Sequence, residues 1–329
     1  MDDVKVTVLM PARNAEKYIA EAIRSVLEQT FTDFEFLILN DGSTDGTANI
    51  IQQFRDSRIR LIEQPGQGIA IALNKGLQEA KGRYIARFDA DDICFPGRLQ
   101  KQVKFLDDNM DHVLTGCDAE YIAENGEHLF DFCCAGHSHE EIMKQLYMDC
   151  PFIHSGVMYR KEMVIKAGGY SPDAHNFEDY LLWIQLAKYG RYSNLPEQLI
   201  KVRFNPNSAT IDEKWRGHRF RKLKRNIIRR AVVTKEEGEK LLAIIKSQDD
   251  QKFKEGAYYA LCGKKFLLDN HQPTKARAHL AKAIRHYPLR FDNYVLYMLS
   301  YFPGSLISWL NRRNQKGIQA LHKREEKIN

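Results

Sequence analysis

Three carboxylates lie within four residues, at Asp89, Asp91 and Asp92, directly after the apolar run Tyr84-Ile85-Ala86. Like charges this close repel one another, so a folded chain holds them together only where something offsets the repulsion. Mg²⁺ and Mn²⁺ prefer hard oxygen ligands, and one or two carboxylates often bind them together with the phosphates of a substrate. The pattern therefore predicts a divalent-cation site. An acidic, solvated turn is the alternative, and an isolated Asp-x-Asp would favour it.

Length and composition limit the class of protein. The 329 residues suffice for one large α/β domain with a smaller appendage, and 28% charged with 43% hydrophobic residues is typical of a globular protein. Met1 leads directly into an apolar strand without a secretory leader, so we expect a cytoplasmic protein. The six cysteines include no Cys-x-x-Cys pair, which argues against a zinc site and a disulfide framework.

Four apolar runs alternate with helical patterns in the first 90 residues. They predict strands at 5–10, 34–39, 58–63 and 84–86. We expect Pro11 to end the first strand and Asn14 to cap the helix that follows. This β-α-β order predicts a Rossmann-like, mostly parallel sheet with helices on both faces.

Polar clusters follow three of these strands where each one ends. Pro11-Ala12-Arg13 follows the first strand, Asp41-Gly42-Ser43 the second and Asp89-Ala90-Asp91 the fourth. Because the carboxyl ends of parallel strands meet at one edge of a sheet, and ligands bind there, the three clusters predict a single site.

The second half of the domain predicts antiparallel pairing. Asn125-Gly126, between two alternating segments, is typical of a hairpin, and 151–159 predicts a further buried strand. Glu178 and Asp179 open a helix. As plain first-turn acids they would complement the helix dipole.

A basic, helical region is predicted for 213–329. Nine Lys or Arg and no acid lie between Lys214 and Arg230, which favours an anionic partner such as a membrane surface, a diphosphate or nucleic acid. Phe220, Leu223, Ile227 and Ile228 recur at helical spacing, so the first interpretation is a helix packed on the domain with a solvated basic face, and a helix on a membrane surface is the alternative. The charge-free stretch from Asn293 to Asn311 is broken by Pro303-Gly304, so it predicts a helical hairpin on protein or at a membrane interface rather than a membrane span.

These motifs together resemble the family 2 glycosyltransferases of GT-A fold over about residues 4–212. The segments that carry the resemblance are 8–14, Gln29-Thr30-Phe31, 40–47, Asn74-Lys75-Gly76 with Ala80-Lys81-Gly82, 89–92 with Pro96 and Arg98-Leu99, and Glu178-Asp179 ahead of Leu182-Trp183. The resemblance implies a nucleotide-sugar transferase domain at 1–212, with a mixed, mostly parallel sheet, followed by the C-terminal region 213–329.

The resemblance also implies a role for each candidate site residue. Those expected to hold the nucleotide are Pro11, Ala12, Arg13, Asp41, Asn74 and Asp89. A carboxylate such as Asp41 suits the ring N–H of uracil or thymine. Asp91 would ligate Mn²⁺ or Mg²⁺, Asp179 would be the general base, and Glu178 would support it or compete for its role. Asn205 stands where the family often has a histidine near the diphosphate.

The function implied is that of an inverting glycosyltransferase. It would move a sugar from a nucleoside-diphosphate sugar, with a UDP-sugar as the expected donor, to a hydroxyl of a glycan or lipid-linked acceptor in cell-surface polysaccharide synthesis. The expected partners are that donor, that acceptor and, peripherally, the anionic inner face of the cell membrane, without specific nucleic acid.

Two other classes stay open. A nucleotidyltransferase that makes nucleotide sugars would be expected to carry a Gly-rich, basic loop after the first strand, and 11–14 lacks one. A non-catalytic nucleotide- or nucleic-acid-binding protein would use the basic block. Trp215 and Phe220, its two aromatic residues, are too few for a stacking surface.

Overall fold

The computed structural model describes residues 4–208, 217–247, 250–305 and 307. The described chain forms two compact units. The first contains 4–121, 131–203 and 217–247, and the second contains 122–130, 204–208, 250–305 and 307. Phe220, Ile227, Ile228 and Leu241 belong to the core of the first unit, and the functional division after residue 212 stays a prediction.

Nine described strands form one mixed sheet. They are β1 Val6–Ala12, β2 Phe34–Asp41, β3 Ile59–Gln64, β4 Tyr84–Arg87, β5 Ile93–Cys94, β6 His112–Ile122, β7 His128–Phe132, β8 Met158–Arg160 and β9 Arg191–Arg203. Their order is β3-β2-β1-β4-β8-β6-β9-β5, with β7 paired to β6. The pairs β3–β2, β2–β1 and β1–β4 are parallel, whereas β8 is antiparallel to β4 and β6. The predicted parallel half and antiparallel half are both confirmed.

Helices cover both faces of the sheet. Those of the first unit are α1 Ile19–Leu27, α2 Thr47–Gln53, α3 Ile69–Glu79, α4 Arg98–Asp108, α5 His139–Gln145, α6 Lys161–Ala167, α7 Glu178–Leu186, α8 His218–Arg230 and α9 Lys235–Ser247. The alternation along β1 separates the two cores. Val6, Val8 and Met10 pack with α1 and α4, whereas Leu9 packs with α3 and α7.

The end of β1 differs from the prediction, because the strand continues through Pro11 to Ala12. The Leu9 carbonyl accepts a hydrogen bond from the Phe88 N–H, on the β4 side of β1. The backbone nitrogen of Pro11, two positions later in the strand, faces the same side. The pairing of β1 with β4 ends at Leu9 and Arg87, so the N–H that Pro11 lacks is not needed for this ladder.

The predicted helix cap is also wrong. The helix α1 begins at Ile19 without a side-chain cap. Asn14 instead adopts a left-handed conformation, with φ of 50°, and its side chain accepts the N–H of Thr44 at 2.9 Å. Asn14 therefore joins the loops after β1 and β2.

The predicted strand at 151–159 is mostly irregular. The strand β8 contains only Met158–Arg160, and a 3-10 turn occupies His154–Gly156. The side chains of this turn contact residues of the site described below. These contacts account for the departure of the segment from strand geometry.

The second unit contains three described helices, α10 Gln251–Leu268, α11 Pro273–His286 and α12 Phe291–Leu299. The helices α10 and α11 confirm the predicted helical character of this region, and Gly263 lets Leu280 pack directly on the α10 backbone. The predicted hairpin at 293–311 lies partly outside the described residues. No helix among the described residues has the length and apolar character needed to cross a membrane.

Candidate active site

The loops after β1 and β2 are tied together at the predicted nucleotide edge. The N–H of Asn14 donates to the Ser43 hydroxyl at 3.0 Å, in addition to the bond that Asn14 accepts from Thr44. The N–H of Ala15 donates to the Thr47 hydroxyl at 2.8 Å. The two polar clusters are therefore one rigid rim.

Asp41 is buried at the end of β2, and its carboxylate organises the next loop. Its Oδ1 accepts the Gln64 side-chain amide at 2.7 Å and the Gln67 N–H at 2.9 Å, and its Oδ2 accepts the Gly68 N–H at 2.8 Å. A carboxylate has about four lone-pair sites, so three bonds leave one for a ligand donor. The predicted contact with a base stays a prediction.

The other predicted nucleotide contacts fall into two groups. Pro11 and Ala12 are buried in β1 at this edge, and the Arg13 guanidinium lies over Gly66 in the neighbouring loop. Asn74 is used differently. Its amide donates to the Tyr170 carbonyl at 2.7 Å and accepts the Tyr170 N–H at 2.8 Å. Its predicted contact with the nucleotide is untested, and it positions Tyr170.

The acidic loop, residues 89–92, is held from three directions. The Asp89 carboxylate forms an ion pair with the buried Arg87, and the Asp89 N–H donates to the Ser155 hydroxyl at 3.0 Å. The Arg203 N–H donates to Asp92 Oδ1 at 2.8 Å, and Arg203 Nε donates to the Asp91 carbonyl at 2.9 Å. The loop is thus a preformed part of the fold.

Burial and neighbouring carboxylates raise the pKa of Asp91 and of Asp92 in the acidic loop. Burial, together with the charge of Asp89, raises the pKa of Asp91 from 3.8 to about 6, although Arg87 and Arg203 oppose this. Burial, with Asp91 and Asp89, raises the pKa of Asp92 well above its ordinary value. The cations beside the loop therefore leave part of the repulsion between the carboxylates unbalanced.

The donor set of this loop fits a divalent cation. Within the described ranges, no three His, Cys, Asp or Glu side chains are placed to hold a metal by themselves. Asp91 and Asp89 supply hard oxygens under mutual repulsion, and one or two carboxylates suffice where substrate phosphates complete the shell. The residues present therefore suit Mn²⁺ or Mg²⁺ bound together with a diphosphate.

Glu178 and Asp179 lie in the first turn of α7, where the helix dipole favours negative charge. They have different environments. Glu178 is buried, and burial with the Asp179 charge raises its pKa from 4.5 to about 7. Asp179 keeps 20% of its side chain exposed, and its Oδ2 is 3.9 Å from Nδ1 of His154.

The 3-10 turn at 154–156 connects these acids with the acidic loop. Its Ser155 binds the Asp89 N–H, and the adjacent His154 faces Asp179. His154 Nε2 lies 3.2 Å from the Tyr170 hydroxyl. Burial, with a contribution from Arg87, lowers the pKa of His154 well below its ordinary value, so the ring is neutral. One turn therefore contacts both the acidic loop, through Asp89, and the predicted base, Asp179.

Several residues of this site escaped the sequence reasoning. Ser155 and Arg203 hold the acidic loop, and Tyr170 joins Asn74 to His154. Arg87 alone carries a local signal, since a cation at the end of an apolar run and beside three acids suggests a buried ion pair. The remainder are distant in sequence, and no spacing rule would have found them.

The fold is similar to two solved structures. One is S. aureus TarS 1–349 in complex with UDP-GlcNAc, with a TM-score of 0.53 and 17% identity, covering 94% of this chain and 92% of that chain. The other is the mannosyltransferase PcManGT from Pyrobaculum calidifontis in complex with GDP-Man and Mn²⁺, with a TM-score of 0.53 and 18% identity, covering 93% and 87%. At these identities the likeness concerns the fold alone, which is that of the GT-A class.

Sequence relatives are closer. The putative glycosyltransferase EpsE of Bacillus subtilis is 35% identical over 210 residues, covering 60% of this chain and 73% of that protein. The O-antigen biosynthesis glycosyltransferase WbnJ of Escherichia coli is 31% identical over 210 residues, covering 62% and 81%. The chain spans about a third of the length of three rickettsial relatives, each an uncharacterized glycosyltransferase.

The family model for glycosyl transferase family 2 matches residues 7–168. With the relatives above, this match shows that the chain belongs to glycosyl transferase family 2. The predicted family and the predicted GT-A fold are confirmed.

Proposed function

We propose that this chain is an inverting glycosyltransferase, which transfers a sugar from a nucleoside-diphosphate sugar to an acceptor hydroxyl. The observation that carries the proposal is the 3-10 turn at 154–156, which brings the acidic loop and the acids of α7 to one site. A transfer of this kind needs a site for the leaving diphosphate and a base on the acceptor side.

The donor would occupy the rim formed by the loops after β1 and β2. Asp41 would accept the ring N–H of a uracil or thymine base at its remaining lone-pair site, and a UDP-sugar is the donor that we propose. Pro11, Ala12 and Arg13 lie on the same rim, and Asp89 would face the ribose. Asp91 would hold Mn²⁺ or Mg²⁺, with Asp89 close by. Such an ion, when bound, neutralises charge on the leaving diphosphate.

The two acids of α7 would have different roles in the reaction, because their environments differ. With a pKa of about 7, the buried Glu178 keeps its proton in much of the protein at neutral pH. The more exposed Asp179 would be the carboxylate that accepts the proton of the acceptor hydroxyl. The neutral His154 ring, braced by Tyr170, limits how Asp179 can turn.

The acceptor would be a glycan or lipid-linked hydroxyl in cell-surface polysaccharide synthesis. The O-antigen role in the name of the Escherichia coli relative supports this proposal. We place the enzyme in the cytoplasm, in peripheral contact with the anionic inner face of the cell membrane.

Calorimetric titration with UDP, with and without Mn²⁺, tests the donor half of the proposal. We expect binding that needs the metal in the unaltered chain and is lost in Asp91→Asn. Asp108→Asn, a change of the same type at an exposed helix position, should bind like the unaltered chain. Metal-independent UDP binding of equal strength in Asp91→Asn would contradict the assignment. If UDP does not bind, the same titration with GDP and with TDP tests whether the site takes another base.

Turnover of UDP-sugars tests the acceptor half. We expect Asp179→Asn to bind UDP normally and to lose at least 100-fold in turnover, as is typical for removal of a general base, about 10²–10⁴-fold. Glu178→Gln keeps the neutral form and should retain activity. Loss of turnover in Glu178→Gln with full activity in Asp179→Asn would reverse the two roles. Release of pyrophosphate from UTP and a sugar 1-phosphate, with no release of UDP from UDP-sugars, would indicate a nucleotidyltransferase.

A further inference from the structure

The helix α8 separates apolar and basic residues on opposite sides. Phe220, Ile227 and Ile228 are buried in the core of the first unit. The opposite side is exposed, and its cations at helical spacing are Arg221, Lys222, Arg225 and Arg229, which we call the basic face. These four residues, with His218 and Asn226, line a cleft of about 460 Å³. No Asp or Glu occurs in the sequence of α8.

The basic face lies on the side of α8 opposite to the residues that pack against Phe177 and Tyr180. The rings of Phe220 and Phe177 meet edge to face, with centroids 6.4 Å apart. The ammonium group of Lys224 is 5.3 Å from the Tyr180 ring. Phe177 and Tyr180 flank the two acids of α7 in sequence. Since packed helix axes are about 8–10 Å apart, a surface bound to the basic face would be close to the site.

The second unit carries an exposed apolar feature of its own. Along α12 and the turn after it, large side chains recur at helical spacing. They are Phe291 (77% exposed), Tyr294 (37%), Val295 (57%), Met298 (66%), Tyr301 (65%) and Phe302 (50%). We call this set the apolar stripe. Globular proteins seldom leave so many large apolar side chains together in water, and such a patch commonly marks a contact site.

We propose that this protein docks on an anionic phospholipid bilayer, for which the first unit offers the basic face and the second unit, considered by itself, offers the apolar stripe. Charge complementarity selects an anionic partner for the basic face. The stripe selects lipid over nucleic acid, because Phe, Val and Met side chains gain by entering the acyl boundary and tyrosine is suited to the headgroup level. The nine residues of α12 span about 14 Å, so the helix lies in the interface and does not cross the roughly 30 Å core.

Docking on a bilayer would narrow the class of acceptor to lipid-linked molecules. A bilayer on the basic face would keep α7 near the headgroups, where the hydroxyl of a lipid-linked acceptor is found. That step rests on the proposed function, whereas binding to lipid does not.

Flotation of the full chain with vesicles tests the docking. Phosphatidylcholine vesicles are compared with vesicles that contain about 30% phosphatidylglycerol, at low and high salt. Each Lys or Arg near an anionic surface contributes about 1 kcal/mol, a factor of about five. We therefore expect Lys222→Glu/Arg225→Glu to weaken binding at least about 25-fold. Lys81→Glu/Lys104→Glu changes the net charge equally at exposed sites on other elements and should bind like the unaltered chain.

The stripe needs a separate pair of variants. We expect Phe291→Ser/Met298→Ser to weaken vesicle binding at both salt concentrations. Met110→Ser/Met148→Ser, at positions 64% and 72% exposed, should have no effect. Unchanged binding in the basic-face variant would overturn the proposal. So would binding to an RNA oligonucleotide with none to vesicles, or a stripe variant that changes the oligomeric state by light scattering and leaves flotation unchanged.

Metal-dependent UDP binding, measured on every variant, separates this proposal from the proposed function. Variants that bind UDP and fail to float support the docking. Flotation of a chain that binds no nucleotide would leave the docking in place and count against the proposed transferase.

Discussion

The buried carboxyl of Glu178 makes the stability of the first unit depend on pH. Its pKa in the folded protein is about 7, raised by burial and by the charge of Asp179, against 4.5 for an ordinary Glu. The unfolded chain therefore loses this proton at lower pH than the folded chain. The stabilisation from a neutral Glu178 is complete below pH 4.5 and is lost as the pH rises through 7.

The expected size follows from the two pKa values. One pKa unit corresponds to about 1.4 kcal/mol, so the difference between 4.5 and about 7, most of which is expressed between pH 5 and pH 8, amounts to roughly 2–3 kcal/mol. Glu178→Gln has no charge to bury. Its free energy of unfolding should fall by roughly 2–3 kcal/mol less than that of the unaltered chain over this range.

Urea unfolding at pH 5, 6, 7 and 8, with a chelator and without nucleotide, measures this difference. Glu162→Gln is the matched control, because Glu162 is also a first-turn acid, on α6, and is exposed. We expect the control and the unaltered chain to have parallel pH profiles. A parallel profile for Glu178→Gln as well would refute the reasoning, since the folded and unfolded pKa values would then be equal.

Three further predictions concern the supports of the site. Asn74→Ala removes two part-buried hydrogen bonds to the Tyr170 backbone and should cost about 2–3 kcal/mol in urea unfolding. Gly42→Ala places a methyl group 2.5 Å from the Gly66 nitrogen at a φ of 68°, so it should weaken UDP binding in calorimetry more than Gly97→Ala, where φ is −88° and the nearest atom is 3.5 Å away. His154→Gln should lower turnover about tenfold with unchanged UDP affinity, because the ring braces the predicted base.

The parallel half of the fold was predictable because its signals are local. Buried strands such as β1 and β2 are continuous apolar runs, and the order of strands and helices determines which ends meet. The convergence of Asp41 with the acidic loop at one edge follows from that order alone. The predicted family and fold depended on the same short segments.

The rest depended on contacts between residues far apart in sequence. Arg203 binds Asp92 from 111 positions away, and Asn74 binds Tyr170 from 96. The short β8 was overestimated because the apolar pattern at 151–159 does not reveal that Ser155 turns towards Asp89. Amphipathic periodicity identified α8, but not the surface that its apolar side covers.

The place of β4 in the sheet has a consequence for the order of folding during synthesis. One edge of β4 pairs with β1, and its other edge pairs with β8, which leaves the ribosome about 70 residues later. Until then, β4 is an unpaired edge strand of the nascent four-stranded half, although it lies inside the finished sheet. Such an open edge can pair with other chains and cause aggregation. The acidic loop follows directly from β4, and Arg203 closes it later still. The site is therefore assembled late in synthesis, after β8 has paired with the open edge of β4.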